Sequence, residues 1–501
     1  MKLPLLGGAY TARSIIADAQ RCVNLYPEKN PGDAEMPITH YPTPGLTLLS
    51  VGPLATTWRG LYYSTTGILF GVLGKTLYRI NDDWTYTALG NLTVSANTPV
   101  SMVDNGRYLM LVDGSPNGYT YDMQLLAFAA ITDPNFQGGD YVGYVDTFFV
   151  LNVPGTNQWY CSLSNSITFD PTYFAAKTGF ADPIQALFVI HREAWVIGSQ
   201  TTEIWSDVGG TSFPFAPLSG VFIQHGCVAK YSVASYGLQM FWLSQDNKGE
   251  ALVMMGAAYQ AKSVTTPAIA QELSSYSVIS DAIGFVYQQQ GHIFYVLSFP
   301  TENKTWVYDA SIDLWHERTW TDANGGENRI RPNCCAFAYG KTVVGDWQNG
   351  QLYCFDLENY TDNGTPVVRR RGFPHVVMEG ARINYLSFIA DMEVGTITVD
   401  LGSGAGGDFN NDFGPDFSSA ASAQPIPPLV SLRWSDTRGK SWGNPVTQSM
   451  GKTGQYYTFP TWRRLGYARD RVFELFWSEN CAAALNGAYI EIAKEKISNN
   501  G

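Results

Sequence analysis

Apolar runs and polar turns alternate along this chain in pairs. Between about residue 58 and residue 368 a short apolar run meets a polar turn and then a second run carrying an aromatic, the pattern of a β-hairpin. Seven pairs recur: 68–73 with 77–80, 108–112 with 119–121, 148–151 with 159–161, 194–197 with 203–205, 240–243 with 251–254, 293–297 with 306–309 and 342–345 with 351–356. They start about 40 to 53 residues apart, the period of propeller blades in which one hairpin is visible and two further strands have room. The pattern predicts an all-β chain built on a β-propeller of seven blades, six being the alternative. Recurrent hairpins also suit a pair of ordinary β-sandwiches, but even spacing favours the propeller.

The flanks read differently. Residues 1–57 hold no strongly periodic segment longer than 12–24 and are punctuated by Pro27, Pro31, Pro37, Pro42 and Pro44, which predicts an extended N-terminal arm or collar that needs something to pack against. After Arg369 the segments 385–390, 395–401, 429–434 and 471–477 alternate as half-buried antiparallel strands do, predicting a β-sandwich-like C-terminal domain over 369–501. Within it, 402–428 is a Gly/Ser/Ala/Asp/Pro stretch too poor in apolar residues to order itself, expected as a flexible loop or one ordered by a partner. The propeller is expected over 58–368.

Composition narrows the function. Charged residues make up only 15% of the chain and aromatics 14%, with 49 Gly and 26 Pro, a mixture that suits strands and tight turns and implies that partner subunits cover part of the surface. The net charge of −12 excludes the diffuse basic field that drives nucleic-acid affinity. Seven cysteines, Cys334 and Cys335 adjacent, fall in no CxxC pair and read as reduced, buried thiols. The first eight residues carry one cation and a short apolar run broken by Pro4 and Gly7, so neither a signal peptide nor a membrane span is expected there, and no later run is long enough to span.

Motifs of catalysis fail on their own geometry. Gly402-Ser403-Gly404-Ala405-Gly406-Gly407 has the dinucleotide string but leads into Asp408-Phe409-Asn410-Asn411-Asp412 and no helix. Asp408, Asn410 and Asp412 open like a calcium loop, yet Gly414 falls one place late and Ser419 stands where the bidentate Glu belongs. Gly439-Lys440-Ser441 and Gly451-Lys452-Thr453 lack the earlier glycine of a phosphate loop, those places holding Trp434 and Val446. None of the six histidines sits in HExxH. Ser435-Asp436-Thr437-Arg438-Gly439-Lys440-Ser441-Trp442 resembles an Asp-box, a hairpin turn closed by an Asp side chain over a Trp and common in sialidase propellers. Nothing singles out the carboxylate pair that glycoside hydrolysis needs. Arg369-Arg370-Arg371 is the one dense cationic run, able to clamp a phosphate or a carboxylate-lined partner or to be a solvated linker. No cofactor, metal ligand or catalytic residue is assigned.

The N-terminus carries a family resemblance. Tyr10-Thr11-Ala12-Arg13-Ser14, then Ala19-Gln20-Arg21-Cys22-Val23-Asn24-Leu25-Tyr26-Pro27-Glu28 and Tyr41-Pro42-Thr43-Pro44-Gly45-Leu46, closely resemble the opening of the tail nozzle, or packaged-DNA stabilisation, proteins of short-tailed bacteriophages (podoviruses). Segment 387–395, the Trp434 to Trp442 turn and Arg463-Arg464-Leu465-Gly466 follow in the same order. The resemblance implies a structural virion protein of the viral tail: a homohexamer below the portal and adaptor ring, plugged by a needle or flanked by fibres and spikes, retaining packaged DNA and acting as conduit for genome ejection. It implies assembly in the host cytoplasm and no enzyme activity. It implies too that DNA passes through the lumen without specific binding, as an acidic wall would favour. Interface residues are expected at Arg13, Gln20, Arg21, Asn24, Tyr26, Pro27, Arg369, Arg370 and Arg371. The rival is a glycan-binding or glycan-hydrolysing propeller of the tail that acts on the host envelope, with Trp315, Trp320 and Trp347 as a stacking platform.

Overall fold

The computed structural model describes residues 2–3, 7–14, 18–32, 36–94, 96–246, 248–394, 427–451, 455 and 457–494. The chain divides into two compact units, one of Leu46–Asp356 and one that joins Met1–Gly45 to Leu357–Gly501.

The first unit is a β-propeller with seven four-stranded antiparallel sheets among its described residues. Blade 1 runs through Trp58–Tyr63, Leu69–Leu73, Thr76–Ile80 and Tyr86–Asn91. Blades 2 to 6 repeat this meander from the first strands Ser101–Asp104, Val142–Val145, Ile184–Ile190, Ala234–Tyr236 and Ile283–Gln289. Blade 7 takes Pro332–Ala338, Lys341–Asp346 and Leu352–Asp356 from the end of the unit and its fourth strand, Gly45–Ser50, from the beginning. The ring is therefore closed by a pairing of distant sequence, and the Thr47 hydroxyl donates to Asp356 Oδ2 across it at 2.8 Å.

Burial explains which residues went where. The second and third strands of a blade lie between two neighbouring blades and bury both faces, as all of Leu69–Leu73 and Gly118–Asp122 do. The fourth strand lies at the rim: Ala127–Ala130 is almost wholly exposed. Three third strands end in an aspartate that caps the following turn. Asp122 Oδ1 accepts from the N–H groups of Gln124 and Leu125, Asp207 Oδ1 from Gly209 and Asp309 Oδ1 from Ser311, all at 2.8 to 2.9 Å.

One buried group in blade 6 makes the propeller acid-sensitive. His316 is fully enclosed, its ring edge-on to Phe294, and burial, with Arg318 and His292 beside it, pulls its pKa from 6.5 down to about 3. The unfolded chain takes up this proton near pH 6.5 and the folded chain only near pH 3. Stability from this residue is thus complete above pH 6.5 and falls on acidification. Between pH 6.5 and pH 5 the loss should be about 2 kcal/mol, and urea unfolding of His316→Phe should show a pH dependence shallower by that amount. An unchanged pH dependence would refute the assignment.

The second unit is a β-sandwich. One sheet has the order Thr461–Ala468, Ile383–Val394, Ala483–Lys494, Ile38–Pro42, Leu25–Lys29, with Lys2–Leu3 added beside Ala483–Lys494. In the other, Asp470–Trp477 lies between Arg369–Gly372 and Leu429–Ser435, with Cys22–Val23 and Val446–Ser449 outside them. Leu25, Phe388, Trp462 and Leu485 of the first sheet meet Cys22, Leu432, Phe473 and Leu475 of the second in one core. Residues 1–45, read from the sequence as an arm, supply strands to both sheets: the apolar positions of Cys22–Val23 and Leu25–Lys29 find the sandwich core to bury in. Pro27 is tolerated because its strand is at the sheet edge, where no ladder bond is required of it. Among the described residues no helix is long and apolar enough to cross a membrane.

Candidate functional site

A cavity of about 560 Å³ runs along the propeller axis, touching the first strand of every blade at Leu61, Met102, Gly143, Leu187, Ala234, Ile283 and Cys334. Its charged lining groups are already matched. Arg59 donates to Thr98 O at 2.6 Å and Gly74 O at 3.1 Å and pairs with Asp113 at 3.4 Å, the side chains of that ion pair being 0% and 1% exposed. Asp140 accepts from Lys230 at 2.6 Å and from Asn152 at 2.9 Å. Burial raises the Cys334 thiol and pushes Cys335 up to about 12, so both remain protonated and unreactive. A cavity of this size does not admit duplex DNA, whose major groove alone is about 12 Å wide.

A second cavity of about 760 Å³ lies on the propeller where the second-to-third-strand turns of blades 6 and 7 meet the chain entering blades 1 and 7. Trp320 and Trp347 line it, each half-buried and each under an arginine: Arg331 lies 4.8 Å from the Trp320 ring centroid and Arg329 4.2 Å from that of Trp347. The two arginines differ in their bonding. Arg331 donates to Asp346 at 2.7 Å and Gln348 at 2.9 Å. The Arg329 guanidinium, in a side chain on a residue only 8% exposed, has no hydrogen-bond acceptor among the described residues, and Trp347 Nε1 is enclosed without one. Trp315, grouped with these two on sequence, is instead blade core, its Nε1 donating to Val264 O at 2.8 Å.

The residues expected at an interface are mostly inside the sandwich unit. Arg369 and Arg371 are fully buried and Arg370 half-buried on one strand. Arg369 donates to the carbonyls of Tyr360, Val367 and Glu479, and Arg371 to those of Gly8 and Arg21 and to Gln20 Oε1 at 2.8 Å. Arg370 pairs with Glu474 at 2.7 Å. The triple arginine is therefore neither a solvated linker nor an open anion clamp: strand geometry turns alternate guanidinium groups inward, where they satisfy backbone carbonyls. Gln20, Asn24, Tyr26 and Pro27 are buried and Arg21 is half-buried. Asn24 adopts φ +53°, a left-handed conformation asparagine tolerates, and bonds Val368 O at 2.8 Å. Arg13 alone of the nine is exposed.

The Asp-box reading needs correction. Asp436 does not close its own turn; it holds Arg471 through Nε at 2.5 Å and Nη2 at 2.9 Å, with that guanidinium over Tyr385 at 4.5 Å. The turn is closed by hydroxyls: Ser435 Oγ accepts from Gly439 N at 2.8 Å and Thr437 Oγ1 from Ser441 N at 2.8 Å. The glycine string and calcium-like residues of 402–419 and nearly all of the 402–428 loop lie outside the described residues, as do strand 395–401 and Lys452-Thr453. Among the described residues no group of three His, Cys, Asp or Glu could hold a metal ion.

The family described as Phage_stabilise, bacteriophage P22 Gp10, beta-propeller, matches residues 1–360. The chain belongs to this family. The match takes in residues 1–45 of the sandwich and all seven blades, so a packaged-DNA stabilisation protein of the phage virion is its class, and a structural part its expected role. No curated protein sequence matches the chain. Among solved structures it is similar to the extracellular domain of the BT4673 one-component system from B. thetaiotaomicron (TM-score 0.42, 9% identity, 62% of this chain and 40% of that one). It is also similar to the WD40 propeller domain of Doa1 (TM-score 0.39, 9% identity, 62% of this chain and 97% of that one).

Proposed function

We propose that this chain is the nozzle subunit of a short-tailed phage, assembled as a hexameric ring beneath the portal and adaptor, retaining packaged DNA and passing it at ejection. Membership of the Phage_stabilise family carries this reading. The axial cavity supports a particular version of it. A propeller axis closed by paired charges and of about 560 Å³ leaves no way through for a duplex, so the conduit is enclosed between subunits and each propeller is a solid wall element. Closed cyclic symmetry gives each subunit two neighbours and accounts for the low charge content. The −12 net charge suits a wall that repels phosphates instead of holding them.

Native mass spectrometry and electron microscopy of the purified chain mixed with its tail partners test the proposal. Six copies around an open lumen are expected; a chain that stays monomeric beside portal and adaptor would sink it. Hydrolysis of glycans finds less support: the only carboxylate lining the second cavity among the described residues is Asp322, and glycoside hydrolysis takes two.

A further inference from the structure

The feature that the nozzle reading leaves unused is the second cavity. Burying a guanidinium without an acceptor costs free energy, and a fold keeps such a group where something else gains by it. Here the neighbouring Arg331 is fully engaged while Arg329 is not, although both stack on tryptophans. Burial, the largest influence on Arg329, lowers its pKa to about 10, which still leaves it a cation at neutral pH. The wall beneath it is prearranged. Asp322 accepts from the N–H groups of Asn324 and Gly326 and from Asn328 Nδ2 at 3.0 Å. Asn328 Oδ1 in turn accepts from Asn303 Nδ2 at 2.6 Å, and Asn303 Oδ1 accepts from Arg329 N at 2.9 Å. Thr57 fixes Trp347 through its carbonyl at 2.6 Å.

The chemistry of the missing partner follows from charge and shape. Arg329 and Arg331 are offset by Asp322 and Asp346, and Asp281, whose Oδ1 is enclosed without a donor, adds a further negative charge near Arg329. That balance disfavours an anion and favours a neutral molecule whose groups both accept and donate. Two tryptophan rings offer apolar faces, Asn97 and Gln348 add amides at the margin, and about 760 Å³ lies within the range of small-molecule sites. We infer that this cavity binds a neutral sugar residue, a hydroxyl oxygen of which accepts from the Arg329 guanidinium while a ring face lies on tryptophan. The site gives the propeller a weak hold on neutral surface polysaccharide, independent of whether the chain forms the nozzle ring.

The test titrates the full chain with D-glucose, D-galactose, D-mannose, L-rhamnose and N-acetyl-D-glucosamine, with D-glucuronate and inorganic phosphate as anionic comparators, followed by tryptophan fluorescence and saturation-transfer NMR. Saturable binding of at least one neutral sugar is expected, weakened tenfold or more in Trp347→Ala and in the surface variant Gln348→Ala. Arg329→Met should lose binding while its melting temperature stays level or rises, because the removed guanidinium donates no hydrogen bond within the fold and its burial is costly. Binding confined to the anions, binding of none of the seven compounds, or a melting temperature that falls by several degrees in Arg329→Met would each overturn the inference.

Discussion

Lys177→Met is expected to destabilise the propeller by about 3 to 5 kcal/mol, the range for breaking a buried ion pair by removing one partner. Lys177 and Asp182 stand on the connection from blade 3 to blade 4, and their side chains are 0% and 3% exposed. The ammonium pairs with Asp182 and donates to Thr201 O and Thr201 Oγ1, each at 2.7 Å. Asp182 Oδ2 also accepts from the N–H groups of Gln200 and Thr201 at 2.6 and 3.1 Å. Gly198 has no side chain because the pair fills the space its Cβ would take. Methionine matches the stem of lysine but leaves a carboxylate enclosed without its counter-charge. Adding Asp182→Asn removes that charge and keeps an oxygen for the two N–H groups, so the double variant should recover more than half of the loss. Urea unfolding of the three proteins measures it, and a double variant no better than Lys177→Met would show that packing, not the stranded charge, sets the cost.

Trp58→Ala should cost a similar amount, about 3 to 5 kcal/mol for deleting a fully buried tryptophan. Trp58 opens blade 1 with no exposed surface, stacks on Tyr86 at 6.0 Å and meets Tyr78 edge-on at 6.4 Å. Its Nε1 donates to Gly350 O in blade 7 at 2.8 Å, and its own carbonyl accepts from Asn333 Nδ2 at 3.0 Å. Gly71 of blade 1 and Gly345 of blade 7 lack side chains where the indole and its Cβ pass, so the residue wedges the first blade against the last. Trp58→Phe keeps most of the ring but forfeits the bond to Gly350, and an intermediate loss is expected. Equal melting temperatures for wild type and Trp58→Ala would mean that this contact does not hold the ring closed.

The hairpins visible in the sequence are the second and third strands of each blade. They announce themselves because both of their faces are covered, which makes them continuous apolar runs such as 69–73 and 108–112. First strands can be as short as Ala234-Ser235-Tyr236, with two of three residues exposed, and fourth strands such as Ala127–Ala130 face solvent, so neither stands out as a continuous apolar run. The aspartate closing the third strand at 122, 207 and 309 was a readable mark of the repeat, because an Asx turn needs that side chain at that place. The contribution of residues 1–45 to the sandwich was hidden by their prolines and by the distance in sequence to the strands they join. Of the second cavity, the sequence offered Trp320 and Trp347 but not Arg329. That a guanidinium lacks an acceptor is a property of what surrounds it in space, and no spacing along the chain encodes it.

The strand Gly45–Ser50 has a further consequence during synthesis. Its partner Leu352–Asp356 leaves the ribosome roughly 300 residues later, a delay of about 15 to 60 s at 5 to 20 residues per second. Through that interval a growing stack of blades ends in an unpaired edge, the kind of surface that recruits other chains. Aggregation of nascent protein is therefore expected to rise when elongation is slowed, since slower synthesis only lengthens the wait.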